Sequence, residues 1–330
     1  MCRLDFSLLN GCQRDFPLID RPYARIAAAF GIGETELLHT LAGLAADGRL
    51  GRVGAVFAPG RIGTSTLAAL QIPAPDLERI AALVTACAEV NHNYEREHAF
   101  NLWFVAAAHN ERQLGNVLAR IAVQSGCPLI SLPLVEEYRI DLGFDLARPD
   151  APVRRMRSLL TEPLALTGEE RAILHALQAG LPLIPAPFSA LAQQARTSAP
   201  RVLATLQRWV EDGTIRRFGL IVRHRELGYV ANAMAVWDVP DDVVSAIGRR
   251  LAEERGVSLA YRRRRSPPHW PYNLFCMVHG RERGTVEQRI AQITAALGVQ
   301  DCSHAVLFSR RRFKQTGPRH LEPAAEAVHG

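Results

Sequence analysis

Four histidines stand in two related stretches of the chain. The first reads Val90-Asn91-His92-Asn93-Tyr94-Glu95-Arg96-Glu97-His98-Ala99-Phe100-Asn101-Leu102-Trp103. The second runs Val257-Ser258-Leu259-Ala260-Tyr261, then Arg262 to Arg265, then His269-Trp270-Pro271-Tyr272-Asn273 and on to His279-Gly280. An imidazole titrates near neutrality and binds transition metals, so His98, His269 and His92 are the candidate proton donors, with His98 and His269 flanking the aligned connection in both stretches. His279 ends a strand, where a ligand-facing role and a hydrogen-bonded core histidine both fit. A guanidinium forks onto a carboxylate or phosphate with two parallel hydrogen bonds, which makes Arg263 and its counterpart Arg96, followed by Arg265, candidates for holding an anion. Alternate residues of a strand face opposite sides, so about two of the four consecutive arginines reach one pocket; a solvated charge run is the competing reading. Tyr94 and Tyr261 align and, like Trp270, offer a stacking face or a polar hydrogen. Asn101 and Asn273 also align, as substrate ligands or as amides serving the backbone.

The elements that must position these residues belong to a chain of 330 residues with 48% apolar content, enough for two or more domains with substantial cores. The N-terminal sequence Met1-Cys2-Arg3-Leu4-Asp5 carries no export pattern, and no apolar run reaches membrane-spanning length, so a cytoplasmic protein is expected, with no membrane partner. The six cysteines are scattered without a C-x-x-C pair, which argues against a zinc or iron–sulfur site written locally, and no metal of its own is expected. Residues 1–150 hold 13 Arg against 17 acids, net −4, whereas residues 151–330 hold 26 Arg and Lys against 16 acids, net +10. A basic half implies an anionic partner, either a nucleic acid or a polyanionic small molecule.

Displacing the sequence on itself by about 165 residues brings Phe16-Pro17-Leu18-Ile19 onto Leu181-Pro182-Leu183-Ile184 and Asp47-Gly48-Arg49-Leu50 onto Asp212-Gly213-Thr214-Ile215. After short insertions, Asn101-Leu102-Trp103-Phe104 falls on Asn273-Leu274-Phe275-Cys276. One unit has been duplicated. The expected organisation is a helix-turn-helix segment over 1–62, a ferredoxin-like domain over 63–147, a linker over 148–165, a second helix-turn-helix over 166–227 and a second ferredoxin-like domain over 228–330. In the second copy, Thr167 and Glu170 form a capping-box pattern ahead of an apolar helical face, and Ser198 stands where the third helix begins. The Asp-Gly after each third helix turns the chain into a strand and suggests a small wing. Each remainder alternates as βαββαβ, a split β-α-β sheet with helices on one face and the other face open to a partner sheet or a ligand. The fold class is therefore α+β, a tandem duplication of helix-turn-helix plus ferredoxin-like domains.

This architecture resembles the Lrp/AsnC transcription regulators, whose ligand domains pair sheet to sheet, and the resemblance covers nearly the whole chain twice. The two histidine stretches are more specific. Trp270-Pro271-Tyr272-Asn273-Leu274, with His279-Gly280 downstream, looks like the siroheme decarboxylases, the Lrp-like enzymes of heme d1 and alternative heme biosynthesis, in the form where two subunits are fused. The resemblance implies loss of CO2 from the C12 and C18 acetates of siroheme, giving 12,18-didecarboxysiroheme. It implies no cofactor beyond the substrate's own iron, which His98, His92 or His269 would ligate. It also implies intramolecular pairing of the two halves, and it is compatible with homo-oligomers and with other heme d1 biosynthesis proteins as partners. Leu259 stands where the second-unit loop of this family often carries histidine, which shifts weight onto His92 or His98.

Siroheme is a flat macrocycle ringed by carboxylates, so its site must bury an apolar disc and clamp negative charge, as the arginines above can. Two other readings compete. A DNA-binding regulator needs basic recognition helices, yet Glu34 and Glu36 open the first and only Arg201 and Arg208 mark the second, which argues against DNA as a partner. A tetrapyrrole sensor without catalysis would keep the arginines and an iron ligand and lack the proton donor.

Overall fold

A computed structural model of the chain describes residues 2–140, 143, 146 and 162–317. The expected linker falls almost wholly on residues 147–161, outside the described residues. In the first half the elements are α1 (Arg3–Gly11), α2 (Pro22–Ala29), α3 (Glu34–Ala46), β1 (Leu50–Phe57), β2 (Thr64–Leu70), α4 (Leu77–Ala86), β3 (Val90–Arg96), β4 (Leu102–Ala108), α5 (Glu111–Ser125) and β5 (Leu129–Ile140). The second half repeats the order as α6 (Gly168–Leu177), α7 (Pro187–Gln194), α8 (Ala199–Glu211), β6 (Ile215–Val222), β7 (Ala231–Trp237), α9 (Val244–Glu253), β8 (Val257–Arg263), β9 (Leu274–Gly280), α10 (Arg283–Leu297) and β10 (His304–Gln315). These elements fall into two compact units, one of the helix-turn-helix segments and one of the ferredoxin-like domains.

Local signals set the helix ends. The Thr167 hydroxyl accepts from the Glu170 N–H at 3.2 Å while the Glu170 carboxylate accepts from the Thr167 N–H at 2.7 Å, so the capping box forms as expected. At α8 Ser198 occupies the cap position without a side-chain capping bond, and Pro200 in the first turn fixes the backbone there instead. In the helix-turn-helix unit each half supplies one strand after its third helix, and the expected wing is a strand shared between the copies. β1 and β6 pair antiparallel with Gly54 opposite Gly219. A lone strand leaves its N–H and C=O groups without partners, and the duplicate strand satisfies them. The main chain of Gln13 crosses so close to Gly219 that a β-carbon there would lie 2.4 Å from its carbonyl oxygen.

In the second unit each βαββαβ run folds into a four-stranded antiparallel sheet. Helices α4 and α5 cover one face of the first sheet, burying Ile80, Val84, Val117 and Ile121 against Leu70, Leu102 and Phe104; α9 and α10 do the same for the second around Trp237, Leu274 and Ile293. The sheets close into an eight-stranded barrel, in the order β10-β3-β4-β2-β5-β8-β9-β7. Closure depends on β5 and β10. Sequence patterning predicts that they stop at Leu134 and Phe308, but they run on to Ile140 and Gln315. The first part of β5 pairs with β2 and its remainder with β8; β10 passes likewise from β7 to β3. Their charged ends find partners on the helix side: Arg311 pairs with Glu78 and Glu95, and Glu136 pairs with Arg249 at 3.5 Å and accepts from the Ser245 hydroxyl at 2.6 Å.

Candidate active site

The faces that the helices leave uncovered line the barrel interior. Trp103, Ile130, Leu132, Met234, Val236, Trp270, Phe275, Met277 and Leu307 form its apolar floor. Directly opposed residues of an antiparallel pair share a face. Tyr94 lies opposite Trp103, and Tyr261 opposite Phe275, so Tyr94 and Tyr261 point inward, and alternation puts Arg96 and Arg263 on the same side. The two arginines are equivalent in detail. Arg96 donates through Nη1 to the Leu307 carbonyl at 3.0 Å, and Arg263 through Nη1 to the Leu132 carbonyl at 2.8 Å. Each lies over the ring of its neighbouring tyrosine, at 5.9 Å for Arg96 over Tyr94 and 4.8 Å for Arg263 over Tyr261. Burial pulls the Arg96 pKa down to about 10 and lowers that of Arg263. Arg96 stays charged at neutral pH, and both lie in an interior where a charge without a counter-ion is costly and a bound carboxylate is correspondingly favoured. Arg263 Nε, buried, has no hydrogen-bond partner among the described residues.

Two histidines join this face. His92 lies opposite Val105 and Gln315, and its Nδ1 sits 2.9 Å from Asn91 Oδ1. His279 follows Phe275 and Met277 along the inner side of β9, and its Nδ1 sits 2.6 Å from Asn232 Oδ1. In both cases the amide oxygen fixes the proton on Nδ1 and leaves Nε2 as the basic nitrogen, the form in which imidazole ligates a metal or accepts a proton. Burial, and after it the nearby Arg96 charge, pushes the His279 pKa down to about 4, so this ring is neutral at physiological pH. Arg96 reaches towards the same place, with Nη2 3.8 Å from Met277 Sδ.

His98 and His269 gather elsewhere, at the connections after β3 and β8. The Phe100 N–H donates to His98 Nδ1 at 3.0 Å, which leaves the His98 proton on Nε2, and the ring meets Trp270 edge-on at 5.2 Å. Burial lowers the His98 pKa. His269 is exposed, 6.3 Å from the Phe100 ring. Trp270 is fully buried between Trp103, Phe275 and Tyr272, so it is first a core residue. Of the four consecutive arginines, Arg263 alone turns inward. Arg262 pairs with Asp241, Arg265 is held by Asp238, Asp241 and the Pro271 and Val239 carbonyls, and Arg264 is exposed. Arg265 therefore already has its carboxylates within the protein. The amides of Asn101 and Asn273 each clasp the backbone of one residue, Ile72 and Val239 respectively, and hold the turn after β2 or β7.

The strand ends add residues that sequence patterning leaves out. Arg312 on β10 lies opposite Tyr94, and Glu137 on β5 lies opposite Tyr261, so both share the inner face. Asn91 and Asn232, which orient the two histidines, are also unforeseen; only the adjacency of Asn91 to His92 hints at the first. In the helix-turn-helix unit, Arg201 and Arg208 on α8 are engaged by Glu169 and Glu170, and Arg21 by Glu34, which reduces the already thin basic surface of the recognition helices.

A duplicated helix-turn-helix and ferredoxin-like chain whose sheets close around arginines, tyrosines and oriented histidines defines a member of the AsnC-like class, with these residues as its candidate site for an anionic ligand. The AsnC-like ligand binding domain profile matches residues 61–139 and 226–314, and the siroheme decarboxylase NirDL-like helix-turn-helix profile matches residues 5–50 and 170–216. The chain is 42% identical to the siroheme decarboxylase NirDL subunit of Paracoccus denitrificans, covering 98% of both chains, and 35% identical to the siroheme decarboxylase of Hydrogenobacter thermophilus, covering 97% of this chain and 95% of that one. It superposes on a crystal structure of the siroheme decarboxylase NirDL with a TM-score of 0.69 at 31% identity, over 96% of this chain and 94% of that one. It superposes on the same enzyme in co-complex with an iron-uroporphyrin III analogue with a TM-score of 0.68. The chain belongs to the siroheme decarboxylase family, and is an enzyme of the carboxy-lyase class.

Proposed function

We propose that this enzyme removes CO2 from the C12 and C18 acetate side chains of siroheme to give 12,18-didecarboxysiroheme, inside the barrel. The observation that carries this reading is that Arg96, Arg263, Tyr94, Tyr261 and two asparagine-oriented histidines share the inner faces of the barrel with its apolar side chains. A polycarboxylate disc needs that combination: apolar contact for its faces, and guanidinium forks and phenol hydroxyls for its rim. The co-complex of the related enzyme with an iron-uroporphyrin analogue supports a tetrapyrrole as the ligand.

Decarboxylation breaks the bond between the acetate methylene and its carboxyl carbon. The electron pair passes into the macrocycle, CO2 leaves, and the methylene carbon takes a proton to become a methyl group. The chain's own residues bind, orient and protonate. His279, held neutral, suits ligation of the substrate's iron through Nε2. His92, on the same face as Tyr94 and Arg96, is the preferred proton donor, giving up from Nε2 a proton that this basic nitrogen first takes from solvent, ahead of His98 and His269 at the connections. General acid help of this kind contributes roughly 100- to 10,000-fold. No cofactor beyond the substrate's iron is required by this scheme. Anaerobic incubation of the purified chain with siroheme, followed by mass spectrometry of the extracted tetrapyrrole, tests it. Loss of two CO2 units is the expected result. Siroheme bound tightly but recovered intact would favour a tetrapyrrole sensor, and no binding would reject the reading.

A further inference from the structure

The barrel has two pseudo-equivalent ends, one where β10 leaves β7 to join β3 and one where β5 leaves β2 to join β8. Each end joins a strand of the first half to a strand of the second. The two registers are copies of each other, bulges included. Ser309, Arg311 and Arg312 face Arg96, Glu95 and Tyr94, as Leu134, Glu136 and Glu137 face Arg263, Arg262 and Tyr261. The inward tyrosine and arginine are therefore kept at both ends. The helix-side residue between them is not: Glu95 of the first half corresponds to Arg262 of the second, and Glu136 of the first to Arg311 of the second.

The ion pairs follow this exchange of sign. Arg311 pairs with Glu95 and with Glu78 of α4, Arg310 lies 3.8 Å from Glu95 and 3.6 Å from Glu97, and Arg283 of α10 pairs with Glu97 at 2.8 Å. At the other end Glu136 pairs with Arg249 of α9 at 3.5 Å and accepts from Ser245, the second residue of α9 as Glu78 is of α4. In each of these ion pairs the carboxylate comes from the first half and the guanidinium from the second; Arg262 pairs with Asp241 of its own half at 2.7 Å. If two first halves closed a barrel, Glu136 would fall opposite Glu95 and beside Glu78, with no β10 arginine to counter them. If two second halves did so, Arg311 would fall opposite Arg262. Like charges directly across an antiparallel pair are unfavourable, and Glu95 is buried, where water screens least.

We propose that this exchange is a charge key: the barrel surface of a first half accepts a second half and rejects another first half, so that two chains do not close barrels between like halves. The unlike pair is the one that brings His92 of the first half and His279 of the second into a single barrel. The test uses the full chain and needs no tetrapyrrole. Glu136→Arg together with Arg311→Glu creates within one chain the charge pairs that like halves would make, an arginine facing Arg262 and a glutamate facing Glu95 and Glu78. Its melting temperature is expected to fall by about 5 °C or more. Light scattering is expected to show a species of twice the wild-type mass that grows with concentration, since like halves now carry opposite charges at the exchanged positions. Adding Glu95→Arg and Arg262→Glu reverses all four charges, restores opposite signs at both ends, and should return the wild-type mass and most of the lost stability. A two-site variant that melts and scatters like wild type overturns the proposal. So does a two-site variant that melts lower but keeps the wild-type mass, because the exchange then serves stability alone. If the two-site variant does not fold, the four-site variant decides: recovery of a folded chain of wild-type mass supports the key, and failure to recover overturns it.

Discussion

The two ends of the barrel share a scaffold and differ in chemistry. At both, a strand pair brings a tyrosine and an arginine inward, the arginine donates to a carbonyl on the crossing strand, and an asparagine amide ties the preceding turn. Those features repeat because the two halves are copies of one unit. The two asparagine-oriented histidines occur at one end only, His92 with Asn91 from the first half and His279 with Asn232 from the second. A duplicated chain thus shows residues kept at both ends beside residues found at one end alone, and the second kind marks where the two halves have diverged.

The comparison can be broken most severely at the arginines. Arg96→Gln is expected to lower kcat/KM by roughly 100-fold, the upper range for losing a charge-assisted contact, and Arg263→Gln by less than about 10-fold; equal losses would mean that both ends bind substrate. Comparable in size is the histidine pair. His92→Ala should lower kcat by about 100-fold with little effect on siroheme affinity, whereas His279→Ala should alter the absorbance spectrum of bound siroheme by removing an iron ligand. If His98→Ala abolishes turnover while His92→Ala does not, the proton donor lies at the connection after β3. Next comes packing that only one half carries. Tyr138 lies against Gly248 of α9, where a β-carbon would come within 2.0 Å of its ring, so Gly248→Ala should lower the melting temperature by an overpacking cost of about 1–3 kcal/mol.

The smallest effect is on pH dependence. With the His279 pKa near 4 in the folded chain and 6.5 as its ordinary value, the unfolded chain takes up a proton between those limits that the folded one excludes. The contribution is complete above pH 6.5 and is lost as pH falls towards 4. His279 is partly exposed, so its size is of the order of 1 kcal/mol after discounting for screening. Melting curves of wild type and His279→Gln should diverge across that window. Asp241 and Glu170, held below their ordinary values by Arg265, Arg208 and backbone N–H groups against the opposing effect of burial, add losses at more acidic pH in both proteins.

Helices, strands and the duplication were legible because they rest on local patterns: a capping box at Thr167, an apolar run from Leu102 to Ala107 matched at Leu274 to Val278, and the Asp-Gly repeated at Gly48 and Gly213. Tyr94, Arg96, Tyr261 and Arg263 were legible because they align between copies. Arg312 and Glu137 were not, since their meaning lies in strand partners more than a hundred residues distant, and the charged tails Glu136 to Ile140 and Arg310 to Gln315 carry no apolar alternation that would announce a strand. Arg265 looked like a ligand residue because sequence cannot show Asp238 and Asp241 folding back on it. The roles of Asn101 and Asn273 were balanced between substrate and backbone for the same reason, and both amides bond to the main chain.

The passage of β10 from β7 to β3 also bears on when the site comes into being during synthesis. Its arginine wall is made among the last residues described, more than two hundred positions after His92 and Tyr94, and pairing across so long a separation is slow because the intervening chain must first be ordered. A nascent chain on the ribosome can complete the helix-turn-helix of its first half and most of that half's sheet while β3 still lacks its outer neighbour. The enzyme therefore sets Arg312 opposite Tyr94 in the same step that removes the open edge of β3, so the inner face of that strand is complete only once the barrel has closed.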